Sequence, residues 1–248
     1  MRAVILGLLA ETPVHPGSGR SMGVVDLPVA REAATDYPVL VGSSLKGALR
    51  DLAERTHTEQ AAGWFGERDR AGALLVSDGR LLLLPARSLT SAYRWVTCPH
   101  LLERFLRDAR RAGLEANFEP PSVERGKALT SGDGYLFLEE REFEIAGPVP
   151  EALVEQLGAL VPDEHTRGRL PQQLAVLHDD DFAWFARYGL PVQARNVLDD
   201  VKKTSQNLWY EETLPSDTLM YALLAGRDGE VRQVAEALFP AASPYLQV

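Results

Sequence analysis

The sequence predicts an α+β fold, with a sheet and helices packed on one of its faces. Three observations predict it. Apolar runs of strand length recur at 3–9, 174–178 and 217–226. Between them lie segments with apolar residues at helical spacing, at 43–56, 100–113 and 230–239. Strand and helix alternate at both ends of the chain, as layered α+β domains require. The 248 residues suffice for one large domain with a sizeable core, and 45% hydrophobic with 25% charged residues is an ordinary globular composition.

Each element follows from its own residues. Residues 3–9, AVILGLL, form a strand; the run ends at Glu11 with no small-residue cleavage site, which argues against a signal peptide. Residues 11–42 form a loop. A helix covers about 43–56, with Ser43 and Ser44 as capping residues before the apolar run Leu45, Ala48, Leu49 and Leu52 on one face. Residues 71–87 read as two short strands around Asp78-Gly79, a common hairpin turn pair. HLLERFLRDARRAG is a helix ending at Gly113, its basic end suiting the negative helix pole. Residues 115–134 are expected to be irregular, 134–145 a strand, 150–160 a short helix, 162–172 a loop and 174–178 a strand. Asp179, Asp180 and Asp181 are expected to cap the following helix, since adjacent residues point in different directions and chelate poorly. Residues 190–215 carry two β-like arms, VQARNV and NLWYEE, around a polar tip. That hairpin leaves Leu198, Val201, Leu208 and Trp209 on a protruding element or folded back on the domain. Residues 217–226 form a buried strand, 230–239 a helix after a Gly-rich turn, and PYLQV the start of a further strand.

Residues 15–50 hold the candidate chemistry. Pro16, Gly17, Ser18, Gly19 and Gly23 form a loop whose backbone amides can approach a ligand closely. Ser43, Ser44, Lys46 and Arg50 place orphan amides and two cations at a helix start, which suits phosphate; the same residues also read as an ordinary capped helix. Asp26, between two apolar pairs, can accept a proton, hold a hydrated Mg²⁺ or bond backbone amides. His15 can orient a phosphate or move a proton near neutral pH. The other four histidines lack metal-ligand spacing. A net charge of −9 argues against a general basic footprint for nucleic acid. Any RNA contact would rest on local cations (Arg20, Arg31, Lys46, Arg50), because screening confines exposed charges to about 8 Å. One cysteine, Cys98, excludes an internal disulfide and fits a reducing cytoplasm, and no run approaches a membrane span.

The blocks GVVDLPVARE and GSSLKGALRD, followed in order by RLLLLPARS, WVTCPHLLERF, SGDGYLFLEE and LWYEETLPSDTLMYALL, carry a resemblance. The sequence resembles the RAMP-superfamily backbone subunit of Cmr-type (type III-B) CRISPR effector complexes, from the first strand to about residue 225. That resemblance implies a single RAMP domain over 1–248 with a modified ferredoxin-like (RRM-like) core. Inserted material would occupy about 85–172 and a projecting β-hairpin thumb about 190–215. It implies a cytoplasmic subunit that binds CRISPR guide RNA and cuts complementary target RNA at regular intervals. Its partners would be both RNAs, further copies of itself head to tail and other Cmr-type subunits, with no membrane. Asp26 matches the family aspartate of the VDLP block, which carries cleavage and is the candidate ligand for Mg²⁺ or another divalent cation. His15 matches the family histidine, and one glutamate of the YEE block, Glu211 or Glu212, is a second candidate carboxylate, with Glu211 the choice. Gly17, Ser18, Gly19, Arg20, Ser43, Ser44, Lys46 and Arg50 would meet RNA, with Leu198 and Val201 at the thumb displacing a base pair. The family continues past a strand like PYLQV into a Gly-rich segment, whereas this sequence stops at Val248, so no RNA contact is assigned there. Two other readings are a guide-binding scaffold that does not cut, and a small-molecule enzyme using His15 and Asp26.

Overall fold

The structure, a computed structural model, describes residues 2–116, 118–199, 201–226, 231–241 and 244–248. In chain order it opens with β1 (Arg2–Leu9), β2 (Val39–Leu40), α1 (Gly42–Thr56), α2 (Thr58–Phe65), β3 (Gly66–Glu67), β4 (Arg70–Ala71), β5 (Leu74–Val76), β6 (Gly79–Arg87) and β7 (Tyr93–Thr97). The middle contains α3 (Pro99–Arg111), β8 (Lys127–Thr130), β9 (Tyr135–Leu138), β10 (Arg141–Gly147), α4 (Glu151–Gly158), α5 (Glu164–Gln173), β11 (Leu174–Leu177) and α6 (Asp179–Tyr188). It ends with β12 (Val192–Leu198), β13 (Ser205–Glu212), β14 (Leu219–Gly226) and α7 (Val231–Leu238).

One mixed sheet runs β1-β14-β6-β7-β11-β8-β10-β9, with β2 on β6 and β5 on β14. Both β1 and β6 lie antiparallel to β14, so β1-α1-β6 is a split β-α-β unit with β14 between its strands. With α7 following β14, this is the order expected for most of a ferredoxin-like core. Alternation along each strand then divides the core. Ala222 and Leu224 of β14 face Leu45 and Leu49 of α1 and Val231 of α7, whereas Leu219 and Tyr221 face Phe105 of α3 and Leu153 of α4. Helices therefore cover both faces, not the single face expected. This is why β11, LAVL, is buried at all four positions instead of alternating. Leu45 and Leu49 are fully buried one turn apart, and each contributes about 1.5–3 kcal/mol.

Several expectations are corrected. Asp78-Gly79 is not a hairpin turn: β5 and β6 both pair with β14, one after the other. Gly79 is there because β2 passes so close that a Cβ would stand 2.9 Å from that of Leu40. The segment 115–134 contains β8. Residues 134–145 form two strands, turning at Glu139, whose φ is +49°. Residues 162–172 are mostly helix α5: Asp163 caps it by accepting from the Thr166 amide, and Leu170 is buried, which outweighs Pro171 in the last turn. At α6, His178 is the cap; Asp179 accepts from the His100 amide, and buried Asp181 accepts from the Gly126 amide and Arg141. Residues 244–248 form no strand, and the turn expected before α7 lies at 227–230, outside the described residues.

The basic end of α3 holds a group that its sequence conceals. Asp108 is fully buried and accepts from Arg80, from Arg111 at 3.2 Å and from the Tyr221 hydroxyl at 3.0 Å. A carboxylate removed from water needs such partners. Burial first, and then the Asp108 charge, hold the Tyr221 phenol protonated well above its usual range.

Candidate functional site

The β12–β13 hairpin forms its own two-stranded sheet, in antiparallel register from Val192↔Glu212 to Leu198↔Ser205. Every residue of β12 is exposed, and Leu198, Val201 and Leu208 present large apolar side chains to solvent. The Asp199 carboxylate accepts from the amides of Val201 and Lys202 and shapes the tip.

The long loop after β1 is laid against the base of this hairpin. Val14 exchanges backbone hydrogen bonds with Leu214, and the Leu27 amide donates to the Tyr210 carbonyl at 3.0 Å. The Tyr210 amide donates to Asp26 Oδ2 at 2.8 Å, which fixes the carboxylate beside β13. Glu212 has all of its hydrogen-bonding groups engaged by the same loop. Its amide donates to the Leu27 carbonyl at 3.0 Å, and its carbonyl accepts from His15 Nδ1 at 2.7 Å. Oε1 of Glu212 accepts from Arg31 at 2.7 Å, and Oε2 accepts from the Val29 amide at 3.0 Å. Asp26 and His15 are thus anchored on one strand two residues apart, a spacing of about 7 Å. Arg20, Ser21, Asp26 and Leu27 line a groove whose other wall is Asn207, Leu208 and Trp209 of β13.

The far end of the loop is tied to the core. Arg31 also donates to the Asp36 and Ala186 carbonyls, and Glu32 accepts from Arg104 at 2.8 and 2.5 Å. Burial raises the Glu32 pKa, but hydrogen bonds from Arg104 and Thr35 and the charges of Arg104 and Arg80 outweigh it and hold the carboxyl below 4.5. A folded pKa below the unfolded one adds stability that is complete above the unfolded value and is lost as pH falls through the folded one. Replacing Glu32 with Gln should therefore flatten the acid limb of the stability–pH curve below about pH 4.5 in denaturant titrations. An unchanged slope would show that the clamp does not titrate.

A sequence profile described as the RAMP superfamily matches residues 8–248. The chain belongs to the RAMP superfamily. It is 34% identical over 270 residues, spanning 100% of this chain and 91% of the relative, to the CRISPR system Cmr endoribonuclease Cmr4 of Pyrococcus furiosus. The solved oligomeric Cmr4 from Pyrococcus furiosus superposes with a TM-score of 0.79 at 28% identity, covering 100% of this chain and 92% of that one. The type III-B Cmr-beta bound to cognate target RNA gives a TM-score of 0.74 at 21% identity, covering 94% and 87%, a likeness of fold.

In this RAMP chain the expected residues fall into separate places. Asp26, His15 and Arg20 belong to the loop at the hairpin base, with Gly17, Ser18 and Gly19 on its exposed turn. The Ser18 amide and hydroxyl both donate to the Pro28 carbonyl. Glu211 lies on β13 with its carboxylate 3.2 Å from Arg195, across the hairpin. Ser43, Ser44, Lys46 and Arg50 sit on α1, outside that groove. Helix α1 begins at Gly42 after Val41, so Ser43 and Ser44 lie in its first turn and do not cap it; Asp78 accepts from the Gly42 amide at 2.7 Å. Arg50 is paired with Glu54 at 2.7 Å, while Lys46 lines a second groove with Arg68 and Arg70. Arg31, counted among the local cations, is a loop fastener. The RAMP resemblance pointed to Asp26 and His15 and ranked Glu211 before Glu212 as a second carboxylate; the clamp is Glu212, whose side-chain partners Arg31 and Val29 are 181 and 183 residues away.

Proposed function

We propose that this protein is a repeated backbone subunit of a Cmr-type RNA-guided effector complex in the cytoplasm, binding guide RNA and cutting complementary target RNA. The observation that carries the reading is Asp26 of the VDLP block, anchored by the Tyr210 amide in an open groove at the base of an exposed apolar hairpin. Similarity over the whole chain to a Cmr endoribonuclease supports the same substrate and assembly. No helix among the described residues is long and apolar enough to cross a membrane.

RNA supplies its own nucleophile. The 2′-oxygen attacks the neighbouring phosphorus, the bond to the 5′-oxygen breaks, and a 2′,3′-cyclic phosphate and a 5′-hydroxyl result. One proton leaves the 2′-oxygen and one reaches the 5′-oxygen, so no other reactant is consumed. Attack must be in line, which puts the two proton-handling groups on opposite sides of phosphorus. Anchors about 7 Å apart on one strand suit that division. Ionised Asp26 receives the first proton, and protonated His15 supplies the second. Arg20 offsets charge on the phosphate. The required bend comes from the hairpin of the adjacent copy. Leu198 and Val201 replace the stacking of a displaced base, which costs a few kcal/mol, and the strained linkage meets Asp26 of the neighbour. Such a head-to-tail contact repeats along the guide and spaces the cuts evenly.

No group of three or more His, Cys, Asp or Glu among the described residues can cage a metal. With one Asp26 oxygen on the Tyr210 amide and the other taking the proton, a divalent ion would be held by RNA oxygens and water and would meet Asp26 only through a water, as suits Mg²⁺. Such an ion would neutralise phosphate charge. Chelation by EDTA should stop cleavage and Mg²⁺ restore it, while calorimetry on the chain without RNA should detect no Mg²⁺ site at micromolar concentration. Tight binding to the free chain would refute the single-carboxylate account. The reading itself is tested by assembling the chain on guide RNA and adding complementary target. Evenly spaced products with cyclic-phosphate ends are expected. Assembly without cutting would indicate a scaffold, and no RNA binding at low salt would remove the reading.

A further inference from the structure

Gly17 poses a question that its backbone does not answer. It is not among the glycines with positive φ, so the chain path does not demand glycine there. The reason lies in space. A Cβ at this position would stand 2.8 Å from His15 Nε2 and 3.4 Å from its Cδ2, where real Cβ atoms essentially never approach so closely as the first of these.

The other ring nitrogen is already committed. His15 Nδ1 lies 2.7 Å from the Glu212 carbonyl, and a carbonyl oxygen can only accept, so Nδ1 carries the hydrogen. Protonation and deprotonation of the imidazole must therefore occur at Nε2, the nitrogen that Gly17 faces. The backbone on either side of the ring is held in place. Val14 is bonded to Leu214 on one side of it, and on the other the Ala30 amide donates to the Pro16 carbonyl at 2.6 Å. Loop and strand hold the backbone that carries the imidazole, and the bond to Glu212 orients the ring, while Gly17 itself is exposed.

We propose that Gly17 is a positioning residue: its missing side chain keeps Nε2 of His15 open to an RNA oxygen. This rests on the cleavage reading above and deepens it, because it names the nitrogen that moves the second proton and the residue that admits substrate to it. It also gives Gly17 a role distinct from lending its amide to a phosphate. A methyl group at 17 either occupies the approach or pushes the ring from its hydrogen bond with Glu212. Misplacement by about 1 Å can cost as much as 100-fold in rate.

The test is a double-mutant cycle in guide-loaded complexes, with His15→Ala and Gly17→Ala measured singly and together. Gly17→Ala should lower single-turnover cleavage by about 10-fold or more when His15 is present and by less than about 2-fold when it is absent. Equal losses in both backgrounds, or no loss in either, would overturn the proposal, since a merely structural glycine acts without regard to His15. A second readout does not depend on cutting. In protein labelled with ¹⁵N at histidine, the Nε2 resonance of His15 should shift on binding a 2′-deoxy target, and Gly17→Ala should abolish that shift while guide RNA is still bound. An unaltered shift in Gly17→Ala would also overturn it. Complexes that never cut RNA but show the Gly17-dependent shift would sink the cleavage reading alone.

Discussion

Replacing Asp26 with Asn should leave folding and guide binding intact and reduce target cleavage by about 1,000-fold. The geometry separates the two effects. The Tyr210 amide needs an acceptor at the side chain of residue 26, and the amide oxygen of Asn is one of nearly the same size and position. The loop should therefore stay against β13, and denaturation midpoints should change little, as for other substitutions without a buried mechanism. What Asn cannot do is take up a proton or carry negative charge towards a phosphate or its metal ion. Single-turnover cleavage in complexes built on one guide measures the loss. Undiminished cleavage, with products at the same intervals, would transfer the chemistry to another group.

Glu212→Ala should be the most damaging single change at the hairpin base, costing about 3–5 kcal/mol of stability. The carboxylate is largely buried and serves Arg31 and the Val29 amide together. Its removal leaves a mostly buried guanidinium without its counter-charge and a buried amide without an acceptor. Glu211→Ala, one residue earlier, should cost no more than about 1 kcal/mol, because it removes a single ion pair to a half-exposed Arg195. Urea unfolding of the two variants compares them directly. Similar losses would mean that the loop is not held through Glu212. Cleavage by Glu212→Ala should fall even at temperatures where it is folded, since His15 and Asp26 are ordered by the contacts that Glu212 organises.

How much of this was legible in the sequence depended on whether the signal was local. The helix at 43–56 and the strands at 3–9, 174–178 and 217–226 follow from apolar period, and the structure has them within one or two residues. The hairpin arms were legible from alternation and a polar tip. Gly and Pro misled where tertiary contacts overrode them. Gly79 marks a close passage of β2, and Pro171 sits in a helix secured by the Asp163 cap and buried Leu170. The turn at Glu139 has no glycine to announce it. Helices on both faces could not be foreseen from Ala222 and Tyr221, which are equally buried but face opposite layers. At the site, Asp26 and His15 stood out through the family blocks, because they belong to short contiguous motifs. Glu212 and Arg31 lie in those blocks as well, but they, like Asp108, act mainly through partners distant in sequence, and nothing near them in the chain distinguishes a clamp from an ordinary surface charge.

The central claim, that one copy's hairpin delivers a bent linkage to the next copy's Asp26, is tested most directly by an image reconstruction of the assembled particle. It should hold guide RNA and a target blocked with 2′-deoxyribose. The account predicts an Asp26 carboxylate oxygen within about 3 Å of where the missing 2′-hydroxyl would lie, with Val201 of the adjacent copy filling the place of a displaced base. A carboxylate remote from every target phosphate, beside a hairpin that touches only protein, would contradict it.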